Sequence, residues 1–127
     1  LKDNLSLHGV VGGSGGGGWS TAPDLHRFFL AMQENRLISR NTRDLYWSPT
    51  LFSAGFGYGF QLGGHWVGHT GGFPGIDAFA YYFPASGHTF IVLSNFTGPA
   101  LSLMKRMDRR FGSLRAASPQ PTVMSTP

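Results

Sequence analysis

A chain of 127 residues with 41% hydrophobic and 14% aromatic content holds enough apolar side chain for one core, which excludes a disordered segment and a second domain. Cysteine is absent, so disulfides and thiolate metal sites are excluded while the compartment stays open. The formal charge is +4, no apolar run approaches the roughly 20 residues of a membrane span, and no signal-peptide pattern opens the sequence.

Residues 12–18, GGSGGGG, are a low-complexity stretch expected to form a flexible loop. Residues 12–16 formally match G-x-S-x-G, but a nucleophile elbow passes from a strand straight into a helix, and here more soft chain follows Ser14. The stretch also lacks the Gly-Lys-Ser/Thr ending of a phosphate loop. Next, STAPDLHRFFLAMQ predicts a helix. Thr21 and Asp24 make a capping box, Pro23 sits in the first turn where its missing N–H costs nothing, and Leu25, Phe28, Phe29 and Met32 fall on one stripe. A second, shorter helix is predicted from Asn41 to Trp47, stopped by Pro49, with Ser39 in a capping position.

From Gly57 the period changes. YGFQL, HWVGH, IDAFAYYF and HTFIVLSN are strand-like runs separated by glycine and proline turns. Pro84 to Gly87 fits a type I turn, so the third and fourth runs form a hairpin. Ile76, Ala78, Ala80 and Tyr82 point one way, while Phe79, Tyr81 and Phe83 point the other. Both faces are apolar, so helices are expected to cover both. A last helix is predicted from Pro99 to Phe111 and a tail beyond Gly112. No internal repeat is found.

The last helix carries Lys105, Arg106, Arg109 and Arg110, with Arg115 beyond, against an apolar side of Ala100, Met104, Met107 and Phe111. Such a cluster suits either a nucleic-acid or membrane patch or a solvated helix face. The second fits better, because no aromatic residue interleaves the charges. Neither a nucleic-acid partner nor a membrane span is expected.

The stretch VGHTGGFPG, residues 67–75, asks for another explanation. A turn needs one glycine, and the glycines around His69 and Thr70 suggest that something approaches the backbone closely. From spacing alone, His69 also suits a satisfied histidine in a tight turn. His65 and His69 would share a strand face about 13 Å apart, too far for one metal ion, and no metal site or cofactor is expected. His26 and His88 read as surface histidines. Asn4-Leu5-Ser6 and Asn95-Phe96-Thr97 match glycosylation acceptors.

GGGGWSTAPDLHRFFLAM, a helix ending in SP, GYGFQL, then WVGHTGGFPGIDAFAYYFPASGHTFIVLSN and a final helix together resemble the C-terminal part of the serine β-lactamase-like family. That family includes class C β-lactamases, D-alanyl-D-alanine peptidases and related esterases. The resemblance covers roughly residues 15–111, and HTGG is its most specific piece, a variant of the family's Lys-Thr-Gly motif. It implies an α/β (α+β) fold, with an antiparallel sheet of about four strands flanked by helices. It further implies that residues 19–111 are the C-terminal portion of a hydrolase domain, preceded by an N-terminal segment and Gly-rich loop (1–18) and followed by a tail (112–127).

Carried across residue by residue, His69 takes the lysine's place, Thr70 the threonine's and Gly71 the glycine's, and the Gly72 N–H forms half of the oxyanion hole. His69 and Gly72 are then the catalytic positions, and Thr70 and Gly71 bind substrate, a small-molecule acyl compound. An oxyanion needs a fixed N–H at about 2.7–3.1 Å, and a side chain at Gly71 or Gly72 would crowd the acyl group. An imidazole can donate to a substrate carboxylate or carbonyl and help move a proton near neutral pH.

The family's nucleophile and lysine, S-x-x-K, and its Tyr-x-Asn or Ser-x-Asn motif belong upstream of HTGG. No Tyr-x-Asn precedes His69, and the Ser-x-Asn match, Ser39-Arg40-Asn41, suits a helix cap. Ser102-Leu103-Met104-Lys105 matches S-x-x-K but follows the strand and leads into the basic face, and a motif so short arises readily by chance. The expectation is therefore a fragment of a serine hydrolase, inactive alone, that carries the substrate strand without the nucleophile. The alternative is a non-catalytic binding or self-assembly module. Either way the exposed sheet edge implies a homo-oligomer or association with the missing N-terminal part, which a separate polypeptide could also supply. Family members are often periplasmic or secreted, and the sequence does not fix the compartment.

Overall fold

The structure, a computed structural model, describes residues 12–53 and 55–116. The Asn4-Leu5-Ser6 motif and the chain beyond residue 116 lie outside the described residues. Three helices and four strands follow in the order α1 (Ala22–Gln33), α2 (Arg40–Tyr46), β1 (Gln61–Leu62), β2 (Val67–Phe73), β3 (Ile76–Phe83), β4 (His88–Ser94) and α3 (Pro99–Ala116). The strands form one sheet in the order β1-β2-β3-β4, antiparallel throughout. This is the α+β arrangement expected.

Local chemistry sets the helix starts. Thr21 caps α1: its hydroxyl oxygen accepts from the Asp24 N–H at 3.2 Å and its O–H donates to the Asp24 carboxylate at 2.6 Å. Ser39 caps α2 in the same way, accepting from the Thr42 N–H at 3.2 Å. The stripe on α1 is narrower than its spacing suggests. Phe29 and Met32 are buried, Leu25 is half-buried and Phe28 is 41% exposed, lying edge-on against Phe29. The Gly-rich stretch, expected to be a soft loop, closes a tight turn in which Gly13 and Gly16 exchange backbone hydrogen bonds at 2.8 and 3.1 Å.

The alternation of β3 divides the core as predicted. On one face Phe29, Met32, Phe60, Val67 and Tyr82 pack together, and Phe29 stacks on Tyr82 with centroids 5.8 Å apart. On the other, Phe79, Tyr81 and Phe83 pack with Ala100 of α3, and Trp66 stacks on Tyr81 at 3.8 Å. So α1 and α2 serve one face and α3 the other. Burial pushes the Tyr82 phenol above its ordinary value, with the nearby Arg43 charge pulling the other way. Arg43 is buried but satisfied: it donates to the Asp44 carboxylate at 2.6 and 2.9 Å and to the Gln33 carbonyl at 2.8 Å, joining α2 to the end of α1.

Asp77 fixes where α3 begins. Its Oδ2 accepts from the backbone N–H groups of Gly98, Ala100 and Leu101 at 2.9 to 3.2 Å, satisfying donors that a helix N-terminus leaves orphaned. The helix backbone then passes through Gly112 to Ala116 instead of ending at Phe111, since an interior glycine weakens a helix without forbidding it.

Two histidines depart from expectation. His65 lies in the bend before β2, not on a strand with His69, because the Gly63 N–H closes a turn onto the Trp66 carbonyl at 2.9 Å. His26 is half-buried, with Nδ1 2.6 Å from the Thr89 hydroxyl, and so ties α1 to β4. His88 is exposed, as expected. Among the described residues no helix is long and apolar enough to cross a membrane, and no three His, Asp or Glu side chains group as metal ligands.

Candidate functional site

All of HTGG lies on β2, and β2 lives in two environments. Its first two residues are paired on both sides, by β3 and by the short β1 (Gln61↔Gly68 and Leu62↔Val67). From His69 onward no strand among the described residues adds to the β1 side, so one edge is free. In an antiparallel ladder, alternate residues direct their N–H and C=O to opposite sides. Trp66 bonds toward the Gly63 side and Gly68 pairs with Gln61 of β1. The register with β3 is unbroken from Val67↔Tyr82 to Phe73↔Ile76, so no bulge shifts the phase. The backbone groups of Thr70 and Gly72 therefore face the free edge, while those of His69, Gly71 and Phe73 face β3.

Side chains follow the same alternation. His69 is opposite Ala80 on the α1 and α2 face and is exposed, with Phe56 set edge-on at 6.4 Å. Its Nδ1 is 2.5 Å from the Thr70 carbonyl oxygen. A carbonyl only accepts, so Nδ1 is the donor in this contact, and Nε2 is directed elsewhere. Thr70 is half-buried on the opposite face, beside Phe79 of β3, and its hydroxyl lies 3.0 Å from Gln61 Nε2. The sequence places His69 and Thr70 side by side. The sheet sends their side chains to opposite faces, so they flank the edge instead of converging.

Gly71 and Gly72 are exposed, and no described residue crowds their Cβ positions. A Cβ built on Gly71 meets nothing within 4 Å, and one on Gly72 meets only the Ile76 carbonyl oxygen at 3.7 Å. Gly68 differs: its Cβ would stand 2.1 Å from the Ala80 carbonyl oxygen and 2.7 Å from the Tyr81 ring. The far end of the strand is held firmly. Pro74 and Gly75 make the turn, Gly75 with φ of 78°, and the Gly75 N–H donates to the Thr97 hydroxyl at 3.0 Å. With Asp77 capping α3 two residues on, the hairpin is fastened to the helix at the site's outer end.

Ser102, the sequence's other serine of interest, is exposed on α3, with its N–H on the Gly98 carbonyl at 3.3 Å, and Lys105 is exposed too. No hydrogen bond or ion pair among the described residues joins Ser102 to Lys105 or to HTGG. Sequence reasoning missed Gln61, Phe56, Asp77 and Thr97. Gln61 carried a signal, being the lone polar residue of an apolar strand run, FQL. The others depend on pairings between distant parts of the chain.

Comparison with known proteins agrees with this architecture. The crystal structure of a penicillin binding protein from Bacillus halodurans superposes with a TM-score of 0.76 at 24% identity, over 87% of this chain and 36% of that one. At that identity the likeness is one of fold, and this chain spans 36% of the other's length. No curated protein matches. The sequence model of the beta-lactamase family matches residues 2–111. With most of its length matched to that model and the sheet and helices in place, the chain belongs to the beta-lactamase family.

Proposed function

We propose that this chain is the substrate-binding, C-terminal portion of a β-lactamase-like serine hydrolase that cleaves an amide or ester, with the nucleophile supplied by polypeptide outside these residues. One observation carries the proposal: on a strand otherwise locked into a sheet, the ladder phase directs the Gly72 N–H to an edge that no described strand pairs, and no described residue crowds the Cβ positions of Gly71 and Gly72. An amide so held is what a developing oxyanion needs, because its direction is set by the ladder before any ligand arrives. In the complete site a serine hydroxyl attacks the acyl carbon as its proton passes to a neighbouring base. The carbonyl oxygen becomes an oxyanion against Gly72 N–H, and the amine or alcohol departs with a returned proton. Gly71 keeps the edge clear for the acyl chain. His69 offers Nε2 on one side of it and Thr70 its hydroxyl on the other.

Titrating the isotope-labelled chain with N-acetyl-D-alanyl-D-alanine tests this. The Gly71 and Gly72 amide resonances should move first, and movement confined to other residues overturns the proposal. The chain alone should not turn over nitrocefin or p-nitrophenyl acetate, and turnover abolished by Ser102→Ala would refute the assignment of the nucleophile to other polypeptide.

A second reading, a self-assembly module, is favoured by the apolar side chains left at the surface: Leu51 is 98% exposed, Phe52 97% and Trp19 73%. Light scattering separates the two, since a monodisperse monomer at micromolar concentration removes the assembly reading.

A further inference from the structure

We infer that the outer face of α3 is a docking surface for an anionic phospholipid membrane, with Lys105, Arg106, Arg109 and Arg110 set against the lipid phosphates. No span is involved, since the other side of the helix is held by the sheet. The face shares no residue with the edge of β2, so it stands whatever becomes of the acyl site.

Ala100 is fully buried, and Met104 packs on the cluster of Phe79, Tyr81 and Phe83, its sulfur accepting from the Tyr81 O–H at 2.7 Å. That side of α3 is committed to the sheet. Lys105, Arg106, Arg109 and Arg110 follow at i, i+1, i+4 and i+5, so they gather within an arc of about 140° on the opposite side. All four are exposed. Elsewhere the protein balances its charge locally. Every described arginine outside α3 is paired: Arg27 with Asp24, Arg36 with Glu34, and both Arg40 and Arg43 with Asp44. Lys105, Arg106 and Arg109 join no ion pair among the described residues, and Asp108 is the sole acidic residue in the sequence of α3. Like charges gathered on one face repel each other, and an external anion relieves that repulsion.

The surroundings of the cations choose the anion. Arg106, Arg109 and Arg110, together with Met107, line one open hollow, a seat for a phosphate group that guanidinium forks bind two bonds at a time. Leu101 and Leu103, 46% and 44% exposed, stand at the two borders of the cationic arc. Cations with apolar side chains beside them match a layer of headgroups over acyl chains. Nucleic acid matches less well. Its backbone has the phosphates but no layer for the leucines, and no described side chain of α3 is aromatic, as stacking on a base requires.

Co-sedimentation of the full chain with vesicles tests this. Wild type should bind vesicles of equimolar phosphatidylcholine and phosphatidylglycerol at low salt, ignore pure phosphatidylcholine, and come off at high salt. Lys105→Gln, Arg106→Gln and Arg109→Gln combined should weaken binding about a hundredfold, at roughly fivefold for each cation near an anionic surface. These exposed helix positions accept glutamine at little cost in helix propensity, so the variant should keep the wild-type urea midpoint. Arg27→Gln, Arg36→Gln and Arg40→Gln combined removes the same charge from the paired set, and should leave binding within about fivefold of wild type. Equal losses in the two triple variants would reduce the effect to net charge and overturn the inference, as would a wild-type chain that ignores the anionic vesicles. Tighter binding to duplex DNA than to these vesicles at one salt concentration would also overturn it, giving the face to nucleic acid instead.

Discussion

The two halves of β2 use the same residue for opposite reasons. At Gly68 glycine is present because the protein fills the space: the Ala80 carbonyl oxygen and the Tyr81 ring leave no room for a methyl group. Three and four residues later, Gly71 and Gly72 border space that nothing in the described chain fills. Close packing explains the first and cannot explain the other two. A glycine kept beside open space on a strand has an entropic cost that packing does not offset, and the proposed acyl ligand would supply the missing reason. One strand therefore separates crowded from uncrowded glycine within a few residues.

The largest effect should come from breaking the closed half. Gly68→Ala drives a methyl group into backbone that cannot move without tearing the β2–β3 ladder, and should destabilise the fold by about 3 kcal/mol or more, read as a lowered urea midpoint. A loss below about 1 kcal/mol would mean that the two halves are alike after all. Asp77→Ala comes next. It removes the acceptor for three N–H groups at the start of α3 and should cost about 1–2 kcal/mol, with amide exchange fastest at Gly98, Ala100 and Leu101.

A third effect belongs to alkaline solution. Tyr82 is opposite Val67 in the closed half, and burial raises its phenol above the ordinary value of 10.0. Below pH 10 the phenol is neutral in both folded and unfolded chains and adds no pH dependence. Above it the unfolded chain loses its proton first, so the folded state binds more protons and stability falls as pH rises toward the folded value. Tyr82→Phe should flatten that alkaline decline relative to wild type in urea titrations from pH 9 to 11, and parallel curves would show that Tyr82 is not desolvated.

Much of this architecture was legible in the sequence because it rests on local chemistry. Thr21 and Ser39 announce their helices by hydroxyls placed three residues before an N–H they can accept from. The alternation along β3 assigns Tyr82 and Tyr81 to opposite faces before any partner is known. The strand carrying His69 to Gly72 was legible from HTGG and its neighbours. What failed depended on register or distance. HWVGH reads as one strand, but the Gly63–Trp66 turn bends it and separates His65 from His69. The bond from His26 to Thr89 joins residues 63 positions apart, which no periodicity announces. Gln61 could be seen as odd but not aimed, since only the β1–β2 register brings it to Thr70. For the same reason, three glycines that look equivalent in the sequence divide into two kinds only in the sheet.

The smallest stability change is therefore the most informative. Gly71→Ala places a methyl group where nothing lies within 4 Å, at a residue whose φ is not positive, so the folded state should accept it without strain. The unfolded chain loses freedom, and the net effect should be neutral or stabilising by about 0.4–1 kcal/mol. If the edge exists for the protein's own packing, that is the whole effect. If it exists for an acyl ligand, the same methyl group occupies the ligand's path, and the Gly72 amide should stop responding to N-acetyl-D-alanyl-D-alanine while the urea midpoint holds or rises. A variant that is at least as stable as wild type yet no longer responds to the probe would show that the free half of β2 is kept open at the expense of stability, the opposite of what Gly68 does on the same strand.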